Sequence, residues 1–216
     1  LKRSNIIIQN FLTALKELNF NGKTIYTSSI AVYSKDQNYK NSYVLEKSNL
    51  NPTSFYGLSK VIAEQQFMYF HNNYGLKIYI LRLSSIFGMD LKRQVIYQMI
   101  KEAKNPNLKS IILNGKKSDA RQFIFIDDLI QILIKLINSR KSFLLLNISN
   151  GKKILIKDIL DYILKKLHIK KKILYKNQNS PDFPILKNIK LLNEINNFKF
   201  ENFYKSLNKT INYLSK

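Results

Sequence analysis

Tyr56 and Lys60, four positions apart, and Ser29, 27 residues before the tyrosine, are the side chains of this sequence best suited to acid–base chemistry. On a helix the Tyr-x-x-x-Lys pair shares one face, and an ammonium held beside a phenol stabilises the phenolate, lowering a pKa that is otherwise about 10. Tyr56 would then be a usable base near neutrality, and Ser29 could donate or accept a hydrogen bond at the reacting hydroxyl. Taken alone, the spacing fits a surface contact equally well. The chain has no cysteine, which removes thiolate zinc sites, disulfides and cysteine nucleophiles, and its two histidines, His71 and His168, are too few for a histidine-rich metal centre.

The elements that must position these residues alternate along the chain. An apolar spacing of three and four at Ile7, Ile8, Phe11, Leu12, Leu15 and Leu18 predicts a helix with one buried face. Lys23–Ser29 reads as a strand, Tyr56–Asn72 as a helix and Lys77–Leu83 as a buried strand, with Gly22 and Gly75 at the junctions. Further on come a helix around Val95–Ala103, a strand Ser110–Leu113, an extended Arg121–Ile126, a helix Asp127–Asn138, a strand Phe143–Ile148 and a helix Ile156–Leu167. The tail from Lys170 carries Pro181 and Pro184 and ends in an amphipathic helix near Asn202–Leu214. Strands alternating with helices predict an α/β fold with a parallel sheet covered on both faces. Such sheets bind ligands at their strand C-termini, which is where Ser29 falls.

At 216 residues and 45% hydrophobic content the chain can bury a sizeable core. The 36 Lys and Arg against 14 Asp and Glu give a net charge of +22, the balance of a nucleic-acid binder. However, 31 Lys, 30 Ile and 25 Asn mark a chain drifted towards three residue types, and only five are arginine. With no basic–aromatic motif, the surplus reads as a solvated surface that favours small polyanions rather than nucleic acid. No apolar run approaches the ~18 residues of a membrane span and no secretory signal pattern is present, so the sequence reads as cytoplasmic, without a membrane partner. The chain opens on Leu1, already within the first helical pattern, and so reads as lacking its start.

Five ordered segments change the weight of the Tyr56–Lys60 pair. They are Ser29-Ile-Ala-Val-Tyr33-Ser34, Glu46…Asn51-Pro52-Thr-Ser-Phe-Tyr56-Gly57-Leu-Ser-Lys60, Leu81-Arg82-Leu83-Ser84-Ser85-Ile86-Phe87-Gly88, Arg121-Gln122-Phe-Ile-Phe-Ile-Asp127-Asp128 and Asn147-Ile148-Ser149-Asn150-Gly151. In order and spacing the chain resembles the extended short-chain dehydrogenase/reductase family, the NAD-dependent epimerases and dehydratases of nucleotide sugars. The resemblance implies a Rossmann-like doubly wound parallel sheet, incomplete because the N-terminal strands are missing, with a smaller C-terminal α/β substrate-binding part. By this reading residues 1–88 hold the end of the NAD-binding domain and 89–216 mainly bind substrate, with about 121–148 returning to the sheet.

The resemblance further implies that Tyr56 is the general base, that Lys60 holds the nicotinamide ribose, and that Ser29 bonds the sugar hydroxyl. Asn5 and Ser84 would stand near the NAD cofactor. Ser85, Arg93 and Arg121 would contact the nucleotide sugar, Arg121 at its diphosphate, where a planar guanidinium suits phosphate oxygens better than lysine. The helix bearing Tyr56 would pack with the preceding one in a homodimer, through apolar residues such as Phe67 and Phe70. Asp127 and Asp128 read as caps of the following helix, and His71 and His168 as exposed.

The departures from the family pattern are Ser85, Gln122 and Ser34, and, above all, the glycines. All six are isolated, so no G-x-x-G-x-x-G exists to let a backbone approach a pyrophosphate. Dehydratases of the family carry an acidic pair where this chain has Ser28-Ser29, which disfavours elimination. Epimerisation, simple reduction and decarboxylation remain, and the best-matching chemistry is 4-epimerisation of a UDP-hexose through a 4-keto sugar. The alternatives are a 4-keto-sugar reductase and a truncated chain with no activity of its own.

Overall fold

A computed structural model describes residues 2–33, 43–92, 94–177 and 183–215. Its centre is a parallel sheet of three strands in the order β1 (Lys23–Ser29), β3 (Lys77–Leu83) and β7 (Phe143–Ile148). These are the strands read from the sequence, with the same ends. Lys23 pairs with Lys77 and Ser29 with Leu83, so β1 and β3 finish together.

The middle strand shows why the sheet needs cover on both sides. In KIYILRL, Ile78 and Ile80 face α1 (Lys2–Glu17) and α2 (Phe55–Tyr74), packing with Leu12 and Phe67. Tyr79, Leu81 and Leu83 point the other way, to Leu129, Ile132 and Leu136 of α4 (Ile126–Ile137) and Leu191 of α6 (Ile189–Glu194). Side chains of period two therefore feed two cores at once, each fully buried branched residue contributing roughly 1.5 to 3 kcal/mol. Among the described residues no helix is long and apolar enough to cross a membrane.

A further core lies towards the C-terminus. There β6 (Ala120–Phe125) pairs in parallel with β4 (Ser85–Phe87) and antiparallel with β8 (Lys153–Leu155), while β5 (Ser110–Asn114) pairs with β9 (Lys172–Lys176). α3 (Val95–Lys104), α5 (Ile156–Lys166) and α7 (Phe203–Leu214) close over Phe87, Phe123 and Phe125. Thus, of the stretch 121–148, β7 joins the central sheet and β6 the second one. A last parallel pair, β2 (Tyr43–Val44) with β10 (Ile185–Leu186), ties the segment before α2 to the tail.

Three side chains differ from expectation. Phe67 is buried and stacks on Tyr26 with ring centroids 4.5 Å apart, because its turn of α2 faces the sheet; it is not an exposed contact residue. His71 is half-buried, its Nδ1 2.8 Å from the Leu76 carbonyl and its ring stacked on Phe143, since the αL residue Gly75 folds the chain back beneath it. Asp128 does not cap α4. Its carboxylate turns inward and accepts the Glu201 backbone N–H, joining α4 to the start of α7.

Candidate active site

Ser29 ends β1, and the chain turns at once through a short 3-10 turn, Ile30–Val32. The Ser29 Oγ accepts the Ala31 N–H at 3.2 Å, which leaves its own hydrogen to donate elsewhere. Against this turn lies the first turn of α2, started by Ser54, whose hydroxyl accepts the Gly57 N–H. Gly57 allows the contact: a Cβ there would stand 2.1 Å from the Ala31 carbonyl oxygen.

That close approach puts Tyr56 and Lys60 beside the end of β1. Lys60 Nζ donates to the Thr27 carbonyl at 2.8 Å and lies 4.8 Å from the Tyr26 ring centroid and 5.7 Å from that of Tyr56. Burial pulls the ammonium below the usual lysine range, with Glu64 opposing. Of the two tyrosines, Tyr26 is pushed well above its ordinary value by burial and then by Glu64, so it stays protonated. Tyr56, in contrast, is 57% exposed and open to a ligand.

The ends of β1 and β3 open into a cleft of about 460 Å³, lined also by Tyr56, Lys60, Ser84, Ser85 and Gln94. The structure thus brings Ser29, Tyr56, Lys60, Ser84 and Ser85 to one place, the C-terminal edge of a parallel sheet. Among the described residues none of those lining it is a carboxylate. The Ser84 Oγ is buried and has no hydrogen-bond partner, as a hydroxyl awaiting a ligand would be.

Of the other expected site residues, Asn5 and Arg121 are not in the cleft lining. Asn5 is on α1, with Oδ1 buried and unpartnered. Arg121 is on β6, opposite Ile154 of β8, and its guanidinium stacks 4.2 Å above the Phe183 ring. Burial holds its pKa below the ordinary arginine value, Asp119 opposes this, and its Nε is buried without a partner. Arg93 and Ser34 lie outside the described residues.

Sequence reasoning missed the ion pair behind the cleft, Arg82 with Glu64, both fully buried and 2.7 Å apart. Two signals could have found it. Arg82 is the one charge inside an otherwise apolar strand interior, so it had to be paired, and Glu64 follows Lys60 by one helical turn.

The model of the NAD dependent epimerase/dehydratase family matches residues 2–148, and the chain belongs to that family. Among curated proteins it is 26% identical over 168 residues, 77% of this chain, to a Methanocaldococcus jannaschii protein carrying the provisional name UDP-glucose 4-epimerase. A Dictyostelium discoideum dTDP-D-glucose 4,6-dehydratase is 29% identical over 123 residues, half of this chain. The chain covers 53% of the first and 26% of the second. Of solved structures, the UDP-glucuronic acid 4-epimerase of Bacillus cereus, in complex with UDP-glucuronic acid and NAD, superposes with a TM-score of 0.87 at 21% identity, over 98% of this chain and 67% of that one. The UDP-N-acetylglucosamine 4-epimerase of Methanobrevibacter ruminantium does so with a TM-score of 0.81 at 25% identity, over 96% of this chain and 67% of that one. The resemblance read from the five segments and the Rossmann-like fold are thereby borne out.

Proposed function

We propose that this chain carries the reacting half of an NAD-dependent 4-epimerase of a UDP-hexose. The observation that carries the reading is the convergence of Ser29, Tyr56 and Lys60 on one cleft with no carboxylate among its described lining residues. A general acid for eliminating a sugar hydroxyl is missing from that lining, whereas a phenol, an ammonium and a serine hydroxyl suffice to move a proton at a secondary alcohol.

Tyr56 would take the proton of the sugar 4-hydroxyl. Lys60, fastened to Thr27, holds positive charge beside that phenol, and Ser29 donates a hydrogen bond to the sugar oxygen because its acceptor side is engaged by Ala31. The residues present fit the nicotinamide-ribose end of NAD. The orphaned Ser84 hydroxyl offers it a hydrogen bond and Lys60 a cation, but the isolated glycines supply no cradle for the pyrophosphate. NAD, when bound, supplies the oxidation and re-reduction of the sugar carbon. Arg121 would hold the substrate diphosphate. A buried guanidinium with an unsatisfied Nε favours an anion, and its planar fork matches phosphate oxygens.

Proton NMR tests the reading. The chain incubated with UDP-glucose and a large excess of NAD should form UDP-galactose, and Tyr56→Phe should abolish it. Net consumption of reduced cofactor with a 4-keto sugar, and no epimer, would assign a reductase instead.

A further inference from the structure

Behind the cleft lies a buried polar cluster that the proton transfer does not use. Glu64, fully buried on α2, receives Arg82 Nε at 3.1 Å on each oxygen and Arg82 Nη2 at 2.7 Å, and Oε1 also accepts the hydroxyl of Ser28. Arg82 Nη1 donates to the Tyr33 hydroxyl oxygen at 2.7 Å and to the Glu46 carbonyl at 2.8 Å. The Tyr33 hydroxyl in turn donates to Asn147 Oδ1 at 2.8 Å, and the Glu46 carboxylate accepts the Asn147 N–H. Both oxygens of Glu64 are engaged, and the cluster ties β1, α2, β3 and β7 together behind the cleft.

The positions of the members matter more than their number. Ser28 precedes Ser29, Glu64 lies one helical turn beyond Lys60, and Arg82 stands two residues before Ser84. We propose that Glu64 is a positioning residue of the cleft, setting Ser29 and Lys60 relative to each other by holding Ser28 of β1 on one oxygen while Arg82 of β3 fixes the carboxylate. The inference rests on the reading of Ser29, Tyr56 and Lys60 given above.

Two physical arguments support it. A desolvated ion pair gives little net stability, and apolar side chains of the same volume would pack here at least as well, so its distinctive property is direction. A carboxylate engaged through both oxygens by one guanidinium cannot rotate, and it transmits that rigidity to Ser28 and to its own helix. The charge also matters to Lys60. Among the described residues the groups around that ammonium are Tyr56 and Glu64 on its own helix and Tyr26 and the Thr27 carbonyl on β1, with Arg82 of β3 behind Glu64. Glu64 is the one anion among them, and its charge opposes the effect of burial on Lys60.

The experiment reads Lys60 directly, without depending on turnover. The chain is reductively methylated with carbon-13 formaldehyde, and the Lys60 signal is identified by its loss in Lys60→Arg. Across a pH titration, Glu64→Gln should lower the Lys60 midpoint by about half a unit or more relative to wild type. Where Glu64→Gln does not fold, Glu64→Met combined with Arg82→Met removes both charges together and should lower it by a smaller amount, because the lost guanidinium partly offsets the lost carboxylate. Ser28→Ala keeps the ion pair, so Lys60 should titrate as in wild type while turnover falls about tenfold with KM within about twofold, the mark of lost orientation rather than lost binding. A Lys60 midpoint that does not move in a folded Glu64 variant overturns the proposal, as does an unchanged turnover in Ser28→Ala. A wild-type chain that turns over no sugar counts against the functional reading alone, and the Lys60 titration then decides this one.

Discussion

Lys60 is fastened to the strand that ends in Ser29: its Nζ donates to the Thr27 carbonyl at 2.8 Å, two residues short of that serine, and lies 4.8 Å and 5.7 Å from the ring centroids of Tyr26 and Tyr56. The bond holds a flexible four-carbon side chain in one place and so makes a helix residue part of the strand terminus. Tyr56, four residues earlier, is left pointing to the open side of the same cleft.

Tyr56→Phe removes only an exposed hydroxyl, so the fold should be unaffected, whereas turnover should fall by roughly 10² or more, the usual consequence of losing a general base. Circular dichroism and initial rates on UDP-glucose check both halves. A rate within about threefold of wild type would show that another group takes the proton.

The cofactor should bind this chain weakly. Its glycines are scattered, and among the described cleft residues the fitting contacts are Lys60 and Ser84, at one end of the dinucleotide. Calorimetry with NAD should give a Kd weaker than about 10 μM. A tighter value would require ~7 kcal/mol from those few contacts and would show that the cradle is dispensable.

Arg82→Met should destabilise the chain by about 3 to 5 kcal/mol, because it leaves the Glu64 carboxylate buried without its cation. Adding Glu64→Met should recover most of that loss, since two methionines fill the space with nothing to desolvate. Urea unfolding of the two variants beside wild type measures the difference. Equal losses in the single and double variants would mean that the pair itself, rather than the stranded charge, sets the stability.

What was legible in the sequence, and what was not, follows from the range of each interaction. β1, β3 and β7 were read to the residue because a short apolar run between turn signals is a local pattern. The strands of two or three residues, β2, β4, β8 and β10, escaped notice because only a partner strand far along the chain makes them strands. β9 was missed because KILYK alternates between lysine and apolar residues within a lysine-rich tail. The cleft residues Ser29, Tyr56 and Lys60 announced themselves by type and spacing. Glu64 and Arg82 did not, since a charge in a sequence reads as surface until the fold supplies its partner, and this partner lies 18 positions away. Asp128 misled for the same reason: its place in the first turn of α4 suggested a cap, but its acceptor role is spent on Glu201 in another part of the chain.

Asp128 also gives a pH dependence whose sign can be worked out. Burial raises its pKa above the ordinary aspartate value, partly offset by the Glu201 N–H bond. For a group whose folded pKa lies above its unfolded one, the associated stability is fully present below the unfolded value and is lost as pH rises through the folded one. Asp128→Asn keeps an oxygen to accept the Glu201 N–H and removes the buried charge. Its urea midpoint at neutral pH should therefore equal or exceed that of wild type, and the advantage should vanish in acid, where wild-type Asp128 is protonated. A variant less stable than wild type at neutral pH, by a deficit that closes in acid, would show that the charge itself stabilises the junction of α4 and α7.

Arg121 is the most direct test of how substrate is held, because the chain offers so many other cations. Its guanidinium carbon lies 4.2 Å from the Phe183 ring centroid, and its Nε is buried with no acceptor, a state that costs free energy unless an anion relieves it. Arg121→Lys preserves the charge but loses both the fork and the stacking, so UDP-sugar binding should weaken by roughly 1.5 to 3 kcal/mol, the range for a hydrogen bond to a charged group. Lys117→Ala, an exposed cation four residues away, should change binding only slightly at physiological salt, where surface fields are screened within about 8 Å. Calorimetric titration of both variants with the same UDP-sugar compares them. Equal, small losses would mean that the net charge of +22 attracts the nucleotide without any particular contact, and Arg121 would lose its place at the diphosphate.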